Sequence, residues 1–176
     1  MLDLCAAPGG KLTYIAQLMQ NQGRLIAHDT SADRLRLVQE NCARLGVSCV
    51  QAIPASEMTQ ILGNTSARFD RVLIDAPCSN TGVMRRRVDL RWRIRPEEIE
   101  RLSTMQLDLL KAGAGLVKPG GTAVYSTCSL EPEENGKLVA DFLKIAPWMR
   151  LESEHELHPF ADCVDGAYVA RLVRVP

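Results

Sequence analysis

Short apolar runs typical of β-strands alternate with helix-like segments along the whole sequence, and this alternation constrains the fold more than any other feature. Strands are predicted over 1–5, 24–28, 48–52, 69–75, 122–126, 149–152 and 167–173. Helices are predicted over 11–21, 31–45, 56–62, 96–117 and 132–145. Strands separated by helices pair in parallel, with helices on both faces of the sheet. The sequence therefore predicts a doubly wound α/β sheet of about seven strands.

Local signals set several of these boundaries. Ser31 is a candidate N-cap for the second helix, and Gly46 is a candidate stop for it. Pro96 suits the first turn of the long helix, because proline lacks an amide hydrogen that would be unpaired there. The Arg-rich stretch 76–95 is predicted to be irregular, and the KPGG sequence at 118–121 is predicted to be a turn.

Length and composition are those of one ordinary globular domain. The chain has 176 residues, of which 46% are apolar and 24% are charged. Lys plus Arg and Asp plus Glu both number 21, so net charge alone indicates no partner. No apolar run reaches the ~18 residues of a membrane span, and no secretory signal begins the chain. We therefore expect no contact with a membrane.

Cysteine usage gives the expected compartment. The six cysteines are Cys5, Cys42, Cys49, Cys78, Cys128 and Cys163. None forms a CxxC pair or lies at zinc-finger spacing from a histidine, so we expect reduced thiols, no bound metal and a cytoplasmic protein. We also expect a monomer. The predicted first strand begins directly at residue 1, so we expect residues 1–176 to be the catalytic domain of a longer protein.

The sequence DLCAAPGGK at 3–11 ends the first strand and begins the first helix. Its alanines and glycines let a ligand approach the backbone, and the helix N-terminus offers unpaired N–H groups. Neither GxGxxG nor GK[ST] is present, which disfavours dinucleotides and nucleoside triphosphates. Asp29 ends the second strand, where a carboxylate can accept both ribose hydroxyls. A ligand with a carboxylate and a nucleoside fits this pattern best.

Two cysteines follow neighbouring strands. Cys78 lies just past the fourth strand and Cys128 just past the fifth, so both thiols should face one cleft. A thiolate that adds to C6 of cytosine makes C5 nucleophilic towards a sulfonium methyl group, and a base must then remove the C5 proton. Spacing alone does not decide which thiol attacks. Cys42, Cys49 and Cys163 are expected to be small buried residues.

An Arg-rich segment, RRRVDLRWRIR at 85–95, follows the first of these thiols. Clustered arginines around a tryptophan suit phosphate contacts combined with base stacking. The predicted RNA-binding residues are Arg85, Arg86, Arg87, Arg91 and Trp92. The alternative is a solvated loop whose charge is balanced by Glu97, Glu98 and Glu100.

Four motifs, taken together, resemble those of one enzyme family. They are DLCAAPGGK at 3–11, FDRVLIDAPCSNTGV at 69–83, STCSLEPEEN at 126–135 and DGAYVARL at 165–172. The family is that of the RNA 5-methylcytosine methyltransferases, which contains the bacterial rRNA enzyme called Fmu or Sun and eukaryotic nucleolar relatives. The resemblance implies a Rossmann-like class I methyltransferase fold with a mostly parallel sheet and an antiparallel last strand.

The resemblance also implies a chemistry. S-adenosylmethionine is the implied methyl donor, and RNA, first of all rRNA, is the implied substrate. Cys128 is implied to attack C6 of cytosine, Cys78 to assist proton removal and product release, and Asp75 to hydrogen-bond the base or the methionyl part of the cofactor. The implied cofactor-binding residues are Cys5, Ala6, Ala7, Pro8, Gly9, Gly10, Lys11, Asp29, Arg34 and Asp75.

The sequence departs from the family pattern in three respects, and alternatives stay open. Ala167 stands where the family usually has an aromatic residue. Ser56 lies near the position where the family usually has an acid, and the N-terminal RNA-binding part of the family has no counterpart within residues 1–176. One alternative is a truncated, non-catalytic RNA-binding paralogue, and another is a methyltransferase that acts on tRNA. A Rossmann-type oxidoreductase is disfavoured by the absence of GxGxxG.

Overall fold

Strands and helices alternate in the computed structural model, which describes residues 1–63 and 69–175. The strands are β1 (Leu2–Asp3), β2 (Leu25–His28), β3 (Val50–Ile53), β4 (Phe69–Asp75), β5 (Val117–Thr127), β6 (Met149–Leu157) and β7 (Ala167–Arg174). The helices are α1 (Gly10–Leu18), α2 (Ala32–Leu45), α3 (Ala55–Gly63), α4 (Leu90–Arg93), α5 (Pro96–Gly115), α6 (Gly136–Ile145) and α7 (Pro159–Asp162). None of the helices in these two ranges is both long enough and apolar enough to cross a membrane.

The seven strands form one sheet in the order β3-β2-β1-β4-β5-β7-β6. Strands β1 to β5 pair in parallel, whereas β7 is antiparallel to both β5 and β6. The structure thus confirms the predicted doubly wound, mostly parallel sheet with an antiparallel last strand. Strand addition reverses direction between β1 and β4, so a crevice forms at their carboxyl ends, where sheets of this kind bind ligands.

Apolar side chains fill both faces of the sheet. One cluster lies between the sheet and helices α5 and α6, and Tyr125 and Phe142 are its largest fully buried members. The other cluster packs α1 and α2 against β2, with Leu12, Leu25 and Val38 fully buried. Burial of each such side chain contributes about 2 kcal/mol. The strand ends that carry the predicted site residues are therefore fixed from both sides.

The capping of α2 follows the prediction. The Ser31 hydroxyl accepts the N–H of Arg34 at 3.3 Å, and Gly46 ends the helix in the left-handed conformation with φ 65°. Pro96 is the first residue of α5, which has 20 residues. The cap at Ser31 places the start of α2 directly after Asp29, at the carboxyl end of β2.

Strand β5 differs from the prediction at its start. The KPGG sequence was predicted to be a turn that precedes the strand, but it lies within β5, which begins at Val117 opposite Phe69. Regular pairing with β4 resumes after the two glycines, and Gly120 has φ 74°. A strand irregularity with a left-handed glycine explains why turn residues occur inside a strand.

The helix predicted over 132–145 is interrupted. A one-turn 3₁₀ helix at Pro132–Glu134 precedes α6, and Asn135 lies between them with φ −118° and ψ −121°, outside the helical range. Strand β6 extends beyond its predicted end to Leu157, because its pairing with β7 continues that far. The stretch 76–95, predicted to be irregular, contains a 3₁₀ turn and α4.

Candidate active site at the carboxyl ends of the strands

The loop after β1 is held in place by β2 and α2. Ala6 donates its N–H to the carbonyl of His28 at 2.8 Å, and Arg34 donates to the carbonyl of Ala7 at 2.9 Å. Gly9 has φ 107°, a conformation that favours glycine, at the N-cap of α1. Seven predicted cofactor-binding residues lie between the end of β1 and the first turn of α1: Cys5, Ala6, Ala7, Pro8, Gly9, Gly10 and Lys11.

A buried carboxylate follows β2 beside this loop. Asp29 is 4% exposed, and its Oδ1 accepts the N–H of Ser31 at 3.1 Å. Its Oδ2 lies 3.6 Å from Nη2 of Arg34, which also contacts the loop carbonyl. Arg34 therefore joins the carboxylate to the loop, and the carboxylate keeps lone pairs that can accept hydrogen bonds from hydroxyl groups of a ligand.

Asp3 is a site residue that the sequence analysis missed. It is 1% exposed on β1, and its Oδ1 accepts the N–H of Cys5 at 3.2 Å. Burial raises the pKa of Asp3 to about 7, while the Cys5 N–H lowers it and the nearby Asp75 raises it. Burial and the neighbouring Asp3 also raise the pKa of Cys5 to about 12. A carboxyl group at the end of a buried strand was the available signal, and Cys5 is excluded as a thiolate nucleophile near neutral pH.

Lys11 reaches across the crevice between β1 and β4. Its Nζ lies 2.6 Å from Oδ2 of Asp75, and the Ser126 hydroxyl donates to Oδ1 of the same carboxylate at 2.7 Å. The three residues come from α1, β4 and β5, so the pairing of these strands fixes the carboxylate. Asp75 is thus a rigid hydrogen-bond acceptor beside the two thiol loops.

The two thiols predicted to share a cleft are in direct contact. The Sγ atoms of Cys78 and Cys128 are 3.3 Å apart, in the loops that follow the paired strands β4 and β5. Cys78 is buried and Cys128 is half-buried. The structure therefore confirms the juxtaposition that the strand-end rule predicted, and leaves Cys128 as the more accessible sulfur.

Contact between the thiols makes their ionisation unequal. A hydrogen bond from Cys78 lowers the pKa of Cys128 to about 7, although burial and Asp75 oppose this effect and Lys11 supports it. The same contact, with burial, raises the pKa of Cys78. Two contacts oppose this inequality. The Cys128 N–H points at Cys78 Sγ at 3.3 Å and favours a thiolate on Cys78, whereas Asn80 Oδ1 accepts from the Cys128 thiol at 3.1 Å and favours its protonated form. We assign the thiolate to Cys128, because it is less buried and the Lys11 cation favours its charge.

A buried polar network beneath the thiols was also missed. Its members are Ser79, Thr81, Gln106, Thr127, Ser129, Glu134 and Asn135. Polar side chains are rarely buried unless they are hydrogen-bonded to one another. The motif STCSLEPEEN holds four of the seven, so the sequence contained a signal, but the partners after β4 and in α5 could not be identified from it.

The Arg-rich segment rims the cleft, and its arginines differ in their partners. Arg85 and Arg86 both pair with Asp165, with Nε–O distances of 2.5 and 2.7 Å. The guanidinium carbon of Arg91 lies 5.7 Å from the ring centroid of Trp92, and Trp92 is 80% exposed. An exposed aromatic ring with an adjacent cation is suited to base stacking.

A cavity of about 720 Å³ opens beside Cys78, between the Arg-rich segment and α5. Arg87 and Arg95 line it, and neither side chain has an ion-pair partner within residues 1–63 and 69–175. Arg93, in the same wall, pairs with Asp89. Arg101 likewise pairs with Glu98, and Glu97 adds one further negative charge to the wall. The cavity therefore combines a thiol with a small excess of positive charge.

The remaining cysteines lie away from this cleft. Cys42 is buried in α2 and Cys49 is partly buried against the same apolar cluster, in agreement with the prediction. Cys163 was expected to be buried, and this is wrong: it is exposed, at the end of the short helix α7 with φ 57°. A left-handed residue in a polar surface turn has no core to pack against.

Comparison with known sequences identifies a family for this chain. A family model described as 16S rRNA methyltransferase RsmB/F matches residues 1–172. The ribosomal RNA small subunit methyltransferase B of Klebsiella pneumoniae subsp. pneumoniae is 41% identical over 182 residues, which cover 99% of this chain and 42% of that protein. The chain thus spans less than half the length of this curated relative.

Solved structures of similar fold were also found. NSun6 from Pyrococcus horikoshii, solved with SFG, is 35% identical with a TM-score of 0.87, covering 99% of this chain and 47% of that one. An O-methyltransferase from Bacillus cereus in complex with SAH is 13% identical with a TM-score of 0.64, covering 98% and 73%, and shows likeness of fold alone. The fold is a Rossmann-like class I methyltransferase fold, and the chain belongs to the 16S rRNA methyltransferase RsmB/F family.

Proposed function

We propose that this chain is the catalytic domain of an enzyme that transfers a methyl group from S-adenosylmethionine to C5 of a cytosine in RNA, with Cys128 as the nucleophile. The observation that carries the proposal is the 3.3 Å contact between Cys128 and Cys78, at the ends of paired strands in the ligand-binding crevice. Two thiols with unequal ionisation fit a reaction that needs one nucleophile and one proton acceptor.

The residues of the crevice fit the proposed cofactor. Gly10 is exposed and has no side chain, which leaves the start of α1 accessible, and no acidic side chain lies in the first turn to repel a carboxylate. Asp29 is buried at the end of β2, where it can accept the ribose hydroxyls. Ser31 and Arg34 orient this carboxylate. When bound, S-adenosylmethionine supplies an electrophilic methyl group.

The Cys128 thiolate starts the reaction by forming a bond to C6 of cytosine. The C5–C6 π electrons then become available at C5 for the bond to the methyl carbon, which S-adenosylmethionine would supply by giving up its bond to sulfur, with S-adenosylhomocysteine as the leaving product. Cys78 holds its own proton at rest because its pKa is raised, so it first loses that proton to solvent, and its thiolate then accepts the C5 proton. The electrons of the C5–H bond re-form the C5–C6 double bond as the C6–S bond breaks. Cys128 leaves as a thiolate, which is the form in which it began.

Asp75 and Lys11 orient the base in this proposal. The carboxylate of Asp75 is fixed by Lys11 and Ser126, and its remaining lone pairs can accept a hydrogen bond from the cytosine amino group or the methionyl part of the cofactor. The Lys11 cation also favours the thiolate of Cys128. One ion pair thus serves both the base and the nucleophile.

The RNA lies along the Arg-rich segment in this proposal. Arg87 and Arg95 line the cavity beside Cys78, where they can contact phosphates, and Trp92 can stack on a base. The family and the curated relatives favour small-subunit rRNA over tRNA as the substrate.

Methyl transfer in the full-length protein tests the proposal. Wild-type protein, labelled S-adenosylmethionine and small-subunit rRNA are expected to give 5-methylcytosine. Cys128→Ala should give neither methylation nor an adduct, whereas Cys78→Ala should accumulate an RNA–protein band on a denaturing gel because release stalls. A band in Cys128→Ala alone would reverse the two roles. Wild-type protein that methylates neither rRNA nor tRNA would overturn the proposed function.

A further inference from the structure

A single buried carboxylate connects the two thiol loops. Glu134 is fully buried at the end of the 3₁₀ helix that precedes α6. Its Oε1 accepts the N–H of Ser79 at 2.9 Å and Nε2 of Gln106 at 2.8 Å. Its Oε2 accepts the hydroxyls of Ser79 and Ser129, both at 2.5 Å. Four donors thus converge on one side chain, which offsets the large cost of burying a charge.

The partners of Glu134 are the residues next to the thiols. Ser79 directly follows Cys78 in the loop after β4, and Ser129 directly follows Cys128 in the loop after β5. The two hydroxyls also lie 3.0 Å from each other. Each oxygen of the carboxylate therefore restrains a backbone segment that carries a sulfur atom.

The next residue in sequence restrains the other side of Cys128. Asn135 accepts from the Thr127 hydroxyl at 2.6 Å and donates to the Ser129 carbonyl at 2.9 Å, so it contacts both neighbours of the cysteine. The Tyr125 hydroxyl donates to the carbonyl of Glu134 at 2.7 Å and fixes the position of the acid against β5. The arrangement is closed and buried, so it has few alternative conformations.

We propose that Glu134 is a positioning residue that holds the Cys78 and Cys128 loops at thiol contact distance. Its consequence for catalysis rests on the proposed function, in which Cys128 attacks and Cys78 accepts the proton. Glu134 itself touches neither sulfur and acts through Ser79 and Ser129. Loss of the carboxylate leaves the buried Ser79 N–H and one of the two N–H groups of the Gln106 amide without an acceptor, while the other still donates to the Pro77 carbonyl. The loops are therefore expected to separate.

Separation of the thiols should change how Cys128 ionises. The hydrogen bond from Cys78 is the largest cause of the lowered Cys128 pKa, and it depends on the 3.3 Å contact. The titratable groups around Cys128 are Lys11, Asp75, Cys78, His155 and Tyr168. Removal of a nearby negative charge such as the Glu134 carboxylate would by itself lower the pKa of Cys128, so a raised pKa reports the change of geometry and not a direct charge effect.

The test is the pH profile of Cys128 alkylation by iodoacetamide, followed by peptide mapping in the full-length protein. Glu134→Ala should raise the midpoint by about one unit or more, towards that of an ordinary thiol. Glu134→Gln keeps an acceptor oxygen for Ser79 and Gln106, so its midpoint should stay close to wild type. Glu133→Ala is the matched control, because Glu133 is the exposed neighbour and pairs only with Lys137 among the described residues.

The outcomes separate this proposal from its rivals. An unchanged midpoint in folded Glu134→Ala overturns it, and so does a lowered midpoint in Glu134→Gln, which would mean that the charge acts directly on the thiols. If Glu134→Ala does not fold, the double variant Ser79→Ala/Ser129→Ala decides by the same measurement: a raised midpoint supports the proposal and an unchanged one overturns it. Alkylation needs no RNA, so a protein that fails to methylate RNA but shows the shift refutes only the proposed function.

Discussion

Asp3 and Asp29 are both buried beside the loop after β1, yet their surroundings differ. Asp29 has a cation at 3.6 Å and a backbone donor, so its negative charge is compensated. Asp3 has one backbone donor, and Asp75 adds a like charge nearby. A buried carboxyl group with little compensation favours its neutral form. The role of Asp29 is therefore tested by ligand affinity, and that of Asp3 by the pH dependence of stability.

Asp29→Asn should weaken binding of S-adenosylhomocysteine by about tenfold or more, because a carboxylate accepts from two ribose hydroxyls more strongly than an amide does. Isothermal calorimetry on the full-length protein measures the change. Asp33→Asn serves as the control, since Asp33 is exposed in the first turn of α2, the helix that follows Asp29. Equal affinities of the two variants would remove Asp29 from the cofactor site.

Asp3→Asn should stabilise the protein at alkaline pH. Burial raises the pKa of folded Asp3 to about 7, above its ordinary value of 3.8. The folded state therefore holds a proton that the unfolded state loses, and stability falls as pH rises from about 4 to 7, by roughly 3–4 kcal/mol in total. Asparagine can still accept the Cys5 N–H and has no charge to bury, so this loss disappears.

Urea unfolding at pH 5 and pH 8 measures the effect. The stability difference between Asp3→Asn and wild type should grow between these two values, in favour of the variant. Asp70→Asn is the control, because Asp70 is exposed and its pKa is lowered by Lys118. A difference that stays constant with pH would show that Asp3 is ionised throughout.

Among the elements, the loops after β4 and β5 depend on backbone contacts as much as on side chains. Gly82 donates its N–H to the Cys128 carbonyl at 3.0 Å, and Gly166 donates to the Gly82 carbonyl at 2.8 Å. A Cβ on Gly82 would collide with the Gly166 carbonyl oxygen and lie 2.8 Å from the Cys128 carbonyl oxygen. The backbone approach here is possible only without a side chain.

Gly82→Ala is expected to destabilise the fold by about 1–3 kcal/mol, because the Cys128 carbonyl and the Gly166 N–H are both hydrogen-bonded to Gly82 and cannot move away without losing those bonds. Thermal unfolding measures the loss, and methylation by the folded fraction should fall as well. Gly115→Ala is a suitable control, since a Cβ there meets nothing within 4 Å. Equal melting temperatures for the two variants would contradict the close approach at Gly82.

The sequence predicted most elements because their periodicity is local. It failed where a distant partner decides, as at Val117, which joins β5 because Phe69 pairs with it. Asn135 interrupts a helix-like sequence for the same reason, since its side chain is held by Thr127 and Ser129. Contacts between residues far apart in sequence leave no periodic pattern.

At the scale of the whole molecule, charge is balanced, so the RNA affinity that we propose must come from local charge. Lys and Arg number 21, as do Asp and Glu, so the chain has no net field to attract RNA. Asp165 reduces the local charge further, because its single negative charge pairs with both Arg85 and Arg86. The availability of Arg85 and Arg86 for phosphate contacts therefore depends on the charge of Asp165.

Asp165→Asn should tighten RNA binding and steepen its dependence on salt, because two arginines become free for phosphates. Each added phosphate contact changes the slope of log K against log salt by about 0.9 for a duplex or 0.7 for a single strand. Replacement of Arg85, Arg86 and Arg87 together should flatten the slope. Filter binding from 50 to 300 mM salt would measure both effects.

Asp108→Asn is the control for this experiment, because it removes an exposed acid from α5 that, within residues 1–63 and 69–175, pairs only with Lys111. If Asp165→Asn behaves like this control, and the triple arginine variant keeps the wild-type slope, the Arg-rich segment is a solvated loop. RNA would then have to bind on another surface.

Family, fold and the meeting of the two thiols could all be predicted from the sequence, because motifs and strand-end rules specify them. The RsmB/F match confirms the family resemblance. Burial could not be predicted for Asp3, nor convergence for Glu134, because both depend on packing between distant segments. The pairing of Arg85 with Asp165 could not be predicted either, since no sequence pattern in either segment indicates its partner.

The position of β7 has a consequence for the order of assembly during translation. Although β7 follows the other six strands in sequence, it lies between β5 and β6. Until β7 has left the ribosome, one edge of β5 is unpaired. The hydrogen bond from Gly166 to Gly82, which in turn donates to the Cys128 carbonyl, is also missing during this time. At about 5–20 residues per second, this interval lasts on the order of seconds. A nascent chain thus exposes an unpaired inner strand beside two free thiols, which is the period when a chaperone would matter most.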